Sequence, residues 1–172
     1  MASFKFWFIS ICIFSLVLLS DFALKHWVYH NLPLMYAFSA YPSGGIAVFQ
    51  TDAISFSIVH AVNKGIALGL FSSMQAYLIW IRWALCGVVL IYLLRSCPKE
   101  LKPAFAAIFA GALGNIGDYY FYGHVIDMFH FSFFGHSFPI FNIADAAISL
   151  AAVWIGWQSL HAFFRKKISS LH

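Results

Sequence analysis

Long uncharged runs separated by a few charged positions set the pattern of this chain. Four stretches, about 5–25, 76–94, 104–122 and 144–164, read as apolar helices. Each approaches the roughly 20 residues a helix needs to cross an apolar bilayer core of about 30 Å. The first lies between Lys5 and Lys25. Its uninterrupted part, Phe6 to Ser20, is too short alone, so a full span continues through Leu24 and takes in Asp21. Arg82 stands near the start of the second run, Asp118 inside the third and Asp145 at the start of the fourth. No small-x-small cleavage site follows the first run, which argues for a retained span over a cleaved leader. Between the runs the pattern changes. Ser55 to Val62 partly alternates polar and apolar residues, as a half-buried strand does, after the turn signal Pro42-Ser43-Gly44-Gly45. The segment Phe129 to Phe141 is rich in aromatic residues and reads as an interfacial shelf.

Composition turns these runs into a class. The 172 residues are 62% hydrophobic, 20% aromatic and 9% charged, against about 25% charged in an average soluble domain. A soluble globule, a disordered chain and a nucleic-acid-binding module are excluded. The expectation is an all-α membrane protein, one domain over residues 1–172 with four transmembrane helices. A small outward-facing β or interfacial element follows the first helix. Cys12, Cys86 and Cys97 have no paired spacing, so neither disulfides nor a zinc site is expected. Lys5, Arg95, Lys99, Lys102, Arg165, Lys166 and Lys167 fall on one side of a four-span arrangement; Lys25, Lys64 and Arg82 fall on the other. The positive-inside rule then places both termini in the cytoplasm. The connections at about 25–75 and 123–143 face outward, and the helices form an up-down bundle.

The acids are the informative minority. There are six: Asp21, Asp52, Glu100, Asp118, Asp127 and Asp145. Glu100 and Asp52 lie in connections, where charge is cheap. The other four lie at or near the outer ends of three spans, at one depth, and so can converge. Acids at such positions are functional hypotheses by default. Asp145 follows Phe138-Pro139-Ile140-Phe141-Asn142-Ile143-Ala144, where Asn142 is expected to cap the fourth helix. Gly123 is expected to end the third helix shortly before Asp127. Asp118 shares a helical face with Asn115, and either joins a site or struts one helix to another. Gly111 and Gly114 allow close backbone approach. Two carboxylates in one dry site cannot both ionise easily; one takes a proton from water while the other donates to a carbonyl. That chemistry hydrolyses a peptide with no metal or other cofactor.

At these residues the chain resembles the lipoprotein signal peptidase family, the signal peptidase II aspartyl proteases of the bacterial inner membrane. Asp21-Phe22-Ala23-Leu24-Lys25 resembles the family's D-x-x-x-K block. Asn63-Lys64-Gly65-Ile66-Ala67-Leu68 resembles N-x-G-A-A-F, and Gly111-Ala112-Leu113-Gly114-Asn115-Ile116-Gly117-Asp118 resembles G-A-L-G-N-x-x-D. Val125-Ile126-Asp127-Met128 and Phe138 to Asp145 resemble V-V-D-F/M and F-P-x-F-N-x-A-D. The resemblance implies Asp127 and Asp145 as the catalytic pair. It implies Asp21, Lys25, Asn63, Gly65, Gly111, Gly114, Asn115, Asp118 and Asn142 as residues that bind substrate or support the site. It also implies a multi-pass monomer with its active site at the outer face, in contact with membrane lipids. The implied substrates are prolipoproteins cut just before a cysteine that carries a diacylglyceryl group. Two departures stand out. Tyr119 replaces the family's Arg, with Arg82 or Lys25 as stand-ins, and Ile66 and Leu68 replace Ala and Phe.

Alternatives come from other classes. His124, His130 and His136 near Asp127 raise an intramembrane metalloprotease, although their spacing of six fits no helical face and no H-E-x-x-H pair is present. Ser137 has no G-x-S-x-G context. Gly117-Asp118 resembles the presenilin-type G-x-G-D with Asn115 in the first glycine's place. A proton-coupled small transporter would place its acids nearer mid-membrane.

Overall fold

The structure, a computed structural model, describes residues 2–35, 41–63 and 75–169. Helix α1 runs Ala2–Asn31 and is followed by strands β1, Ile46–Gln50, and β2, Ile54–Asn63. Helix α2, Gln75–Arg95, leads through a short 3-10 turn to α3, Lys102–Tyr122. Strands β3, Val125–Phe133, and β4, His136–Ser137, precede α4, Ile143–Ser169. The protein is thus mostly helical with one small antiparallel sheet, ordered β1-β2-β3-β4.

The four expected apolar runs are the four helices, and each extends a little beyond its sequence bounds. The largest extension is in α1, expected to end near Lys25 and observed to continue to Asn31. Its charges do not break it, because Asp21 and Lys25 are one helical turn apart and neutralise each other within the bundle. Two segments, Phe4–Asn31 and Ile143–Arg165, are long and apolar enough to cross a membrane, with mean hydropathies of 2.2 and 1.3. Helices α2 and α3 have 21 residues each, about 31 Å at 1.5 Å per residue, close to a bilayer's apolar thickness of about 30 Å. The outer faces carry large apolar side chains such as Leu16, Trp80, Leu150 and Val153, all more than two-thirds exposed. Such continuous apolar surface marks a protein whose solvent is lipid.

Helix α3 is the central element, packing on α1, α2 and α4. Its contact with α4 depends on Gly111, where a β-carbon would stand 2.6 Å from the Ala144 carbonyl oxygen. It ends at Gly123, whose φ of 76° is left-handed and whose N–H donates to Tyr119 O at 3.0 Å. That turn sends the chain straight into β3. The strand expected at 55–62 is β2; the aromatic shelf expected after it is more regular than foreseen, because its first half is β3. Phe129, Phe131 and Phe133 lie on one face of that strand. Phe56 of β2 stacks on Phe131 at 4.3 Å, and Phe141 stacks on Phe131 at 6.1 Å. The shelf is therefore a half-exposed phenylalanine face of the sheet.

Candidate active site

Asp127 and Asp145 come from different elements and are held by a common set of polar side chains. Asp127 sits third in β3 and is buried, 3% exposed. Asn63, the last residue of the paired strand β2, donates from Nδ2 to Asp127 Oδ2 at 2.9 Å. Asn142 donates from Nδ2 to Asp127 Oδ1 at 2.7 Å and also reaches Ile126 O at 3.3 Å. Asp145 lies in the first turn of α4, as expected, and accepts from Asn115 Nδ2 at 2.8 Å on its Oδ1. The pair is joined through the two amides, since Asn142 Nδ2 also lies 3.2 Å from Asn115 Oδ1.

The Asn142 amide serves local structure before it serves the site. Asn142 caps α4: its Oδ1 accepts the Asp145 backbone N–H at 2.8 Å. That bond leaves Nδ2 to face Asp127. The neighbouring free N–H of the same helix end, on Ala144, goes to Asp21 Oδ1 of α1 at 2.9 Å. The start of α4 is thus pinned by an amide from its own chain segment and a carboxylate from another helix. Gly114 makes the second contact possible, because a β-carbon there would lie 2.7 Å from Asp21 Oδ2.

Lys25, fully buried, stands behind this arrangement. Its Nζ lies 2.6 Å from Asp21 Oδ2 and 2.7 Å from Asp118 Oδ2, and it donates to Asn115 Oδ1 at 3.0 Å. Asp118 Oδ2 in turn accepts the Ile126 backbone N–H at 3.3 Å, which ties the start of β3 to α3. A buried ammonium is tolerable only with such compensation. Burial is also the main influence on Asp127, pushing its carboxyl up to about 6; Asp145 raises it further, while the Asn63 and Asn142 donors and Lys25 pull it down.

The four acids expected to converge do so, and Asn63, Asn115, Asn142 and Lys25 join them. Asp118 acts as the strut. Gly65 and Lys64 lie outside the described residues. Tyr119 turns towards α2, packing with Ile116 against Ile79 and Cys86. The Lys25 ammonium contacts Asp21, Asp118 and Asn115. His130, on the strand face opposite Asp127, pairs its Nε2 with Ser137 Oγ at 2.8 Å, and burial pushes its pKa down. What sequence reasoning missed is how the support is wired. No spacing rule relates Lys25 to Asn115, which are 90 residues apart.

The fold and site define a helical membrane protein with one buried and one half-buried carboxylate, Asp127 and Asp145, linked through amides at one end of its bundle. Two solved structures described as bacterial membrane enzymes share this fold. One has a TM-score of 0.74 and 24% identity, covering 91% of this chain and 90% of that one. The other has a TM-score of 0.72 and 25% identity, covering 88% and 92%. The family model described as signal peptidase (SPase) II matches residues 13–161, and the chain belongs to that family of proteases. It is 34% identical over 144 residues to a lipoprotein signal peptidase of Chlamydia felis, covering 81% of this chain and 87% of the relative. A lipoprotein signal peptidase of Chlamydia pneumoniae is 39% identical over 107 residues; that match spans 60% of this chain and 64% of the relative.

Proposed function

We propose that this protein removes the signal peptide from diacylglyceryl-modified prolipoproteins, cutting just before the lipidated cysteine, with Asp127 and Asp145 as an aspartyl catalytic pair. The observation that carries the reading is the pair itself. Two carboxylates from different elements, one buried and one half-buried, are linked through the side-chain amides of Asn115 and Asn142. Such a pair holds one proton between two acids. A water placed between them gives a proton to the ionised carboxylate as its oxygen attacks the scissile carbonyl. The protonated carboxyl donates to the carbonyl oxygen. The tetrahedral intermediate collapses when a proton passes to the leaving amine, and the pair returns to its starting state. No metal or cofactor has a step in this scheme.

The wider setting supports a substrate that is half lipid. The phenylalanine face of the sheet continues from Asp127 along Phe129 and Phe131, giving apolar surface beside the pair. All four helices cross the membrane in this reading, as a single domain. Both termini are cytoplasmic, because seven of the ten Lys and Arg residues lie on that side. The pair then sits at the outer face of the bacterial inner membrane, and the protein works as a monomer among membrane lipids.

The test is a gel-shift cleavage assay with purified protein and a prolipoprotein in diacylated and unlipidated forms. Only the diacylated form is cut. Asp127→Asn and Asp145→Asn each lower the rate by about 1,000-fold or more, the scale of acid–base catalysis, while both variants remain folded in the membrane. Cleavage at the parent rate by either variant would remove that residue from the pair.

A further inference from the structure

We infer that Lys25 is a positioning residue for the reacting pair, acting through Asn115 by dictating which end of that amide faces Asp145. The inference rests on the reading of Asp127 and Asp145 as the catalytic pair. An asparagine amide has two nearly isosteric ends, one donating and one accepting. A carboxylate such as Asp145 requires the donating end. Within hydrogen-bond reach of Asp145 Oδ1, at 2.8 Å, nothing in Asp145 itself can hold Asn115 in one orientation while the pair gains and loses a proton. A protonated Asp145 could equally well donate to an amide oxygen, and the flipped amide would then resist the next ionisation.

Lys25 removes that freedom. Its ammonium can only donate, so the Asn115 atom 3.0 Å from Nζ has to be the oxygen. Asn142 supplies a second donor to the same oxygen at 3.2 Å, and it is locked in turn by the Asp145 backbone N–H on its own Oδ1. With both donors on one side, Asn115 Nδ2 is directed at Asp145. The ammonium is itself immobilised, because Asp21 at 2.6 Å and Asp118 at 2.7 Å bracket it from α1 and α3. Asp21 also holds the Ala144 N–H and Asp118 the Ile126 N–H, so the ion cluster sets the backbone that carries each acid as well as the amide between them. Among the described residues, the charged groups around the pair are therefore Asp21 and Lys25 from α1 and Asp118 from α3, with Asp127 itself on β3 and Asp145 on α4.

The experiment measures kcat, KM and the pH profile of cleavage for the full-length protein in lipid nanodiscs, using the diacylated substrate. Lys25→Met alone strands two buried carboxylates, so the paired change Lys25→Met with Asp118→Asn is run beside it. Asn115→Leu leaves the ion cluster whole and removes the same hydrogen bond from the other side. The expected result is a fall in kcat of about 100-fold, the scale of losing one preorganised donor, with KM within about twofold. The low-pH limb of kcat/KM, which belongs to the pair, moves to higher pH in each variant. Adding the Lys25 change to Asn115→Leu produces a smaller loss than the product of the two separate losses, because both act on one bond. The inference is overturned if Asn115→Leu keeps the parent kcat and pH limb. It is equally overturned if a folded Lys25 variant does so, or if the losses add. Unchanged cleavage in Asp145→Asn would instead overturn the catalytic pair, a separate failure.

Discussion

Two lysines are buried among the described residues, one at each end of the bundle, and they are held in opposite ways. Lys102, at the start of α3, donates to the Leu93 carbonyl at 3.1 Å and lies 3.9 Å from the centre of the Trp7 ring. Leu93 O is among the unpaired carbonyls in the last turn of α2, so this lysine closes a helix end with a neutral acceptor and an aromatic face. Lys25, at the other end, is bracketed by two carboxylates and an amide. Lys102 tidies local structure; Lys25 organises residues from α3, β3 and α4 around Asp127 and Asp145. Burial alone therefore says little about what a lysine does. The charge of its partners, and what else those partners hold, says more.

That contrast can be broken or sharpened by substitution. The largest effect is expected where no lysine is touched. Gly114→Ala sets a methyl group 2.7 Å from Asp21 Oδ2, which cannot retreat without loosening both Lys25 and the Ala144 N–H. Cleavage should fall by about 100-fold, the cost of displacing a positioning group by a fraction of an ångström to an ångström, with the protein still inserted. A variant as active as the parent would show that the Asp21 end of the cluster is slack. A smaller effect is expected at the edge of the cluster. Asn63→Ala removes a donor that lowers the Asp127 pKa, so the carboxyl rises above its present value of about 6. The low-pH limb of the activity profile then moves up by about one pH unit, one hydrogen bond to a charged group being worth about 1.5–3 kcal/mol. A limb that stays or moves down would exclude Asp127 from that titration. The smallest effect belongs to Lys102→Met, which keeps the apolar stem over Trp7 but loses the bond to Leu93. Activity should stay within about twofold, and thermal unfolding should show a loss of about 1–2 kcal/mol. A loss of activity as large as that expected for Lys25 would erase the distinction between the two ends.

Much of the candidate site is legible in the sequence, and the reason is the poverty of charge. In a chain that is 9% charged, an acid within an apolar run needs a partner, so Asp21, Asp118, Asp127 and Asp145 identified themselves. Asn142 was legible as a helix cap from its place before an apolar run, and Gly123 as a helix end from its place after one. Strand β3 was harder to see. Its residues Phe129, Phe131 and Phe133 alternate with His130 and Ser132, but Val125 to Met128 is buried on both faces and shows no alternation. Packing between α1 and β2 on one side and the helical site on the other makes it a strand.

The sequence by itself determined the helices, the class of protein and the list of polar residues worth attention, because hydrophobic runs and isolated acids are local signals with a direct energetic meaning in lipid. Only the tertiary structure decided how those residues are wired. The direction of the Asn115 amide, the sharing of Asp21 between Lys25 and the start of α4, and the turning of Tyr119 towards α2 depend on side chains meeting across helices. Such contacts follow from where α1, α3 and α4 cross, and close approach at Gly111 and Gly114 sets those crossings to within a methyl group.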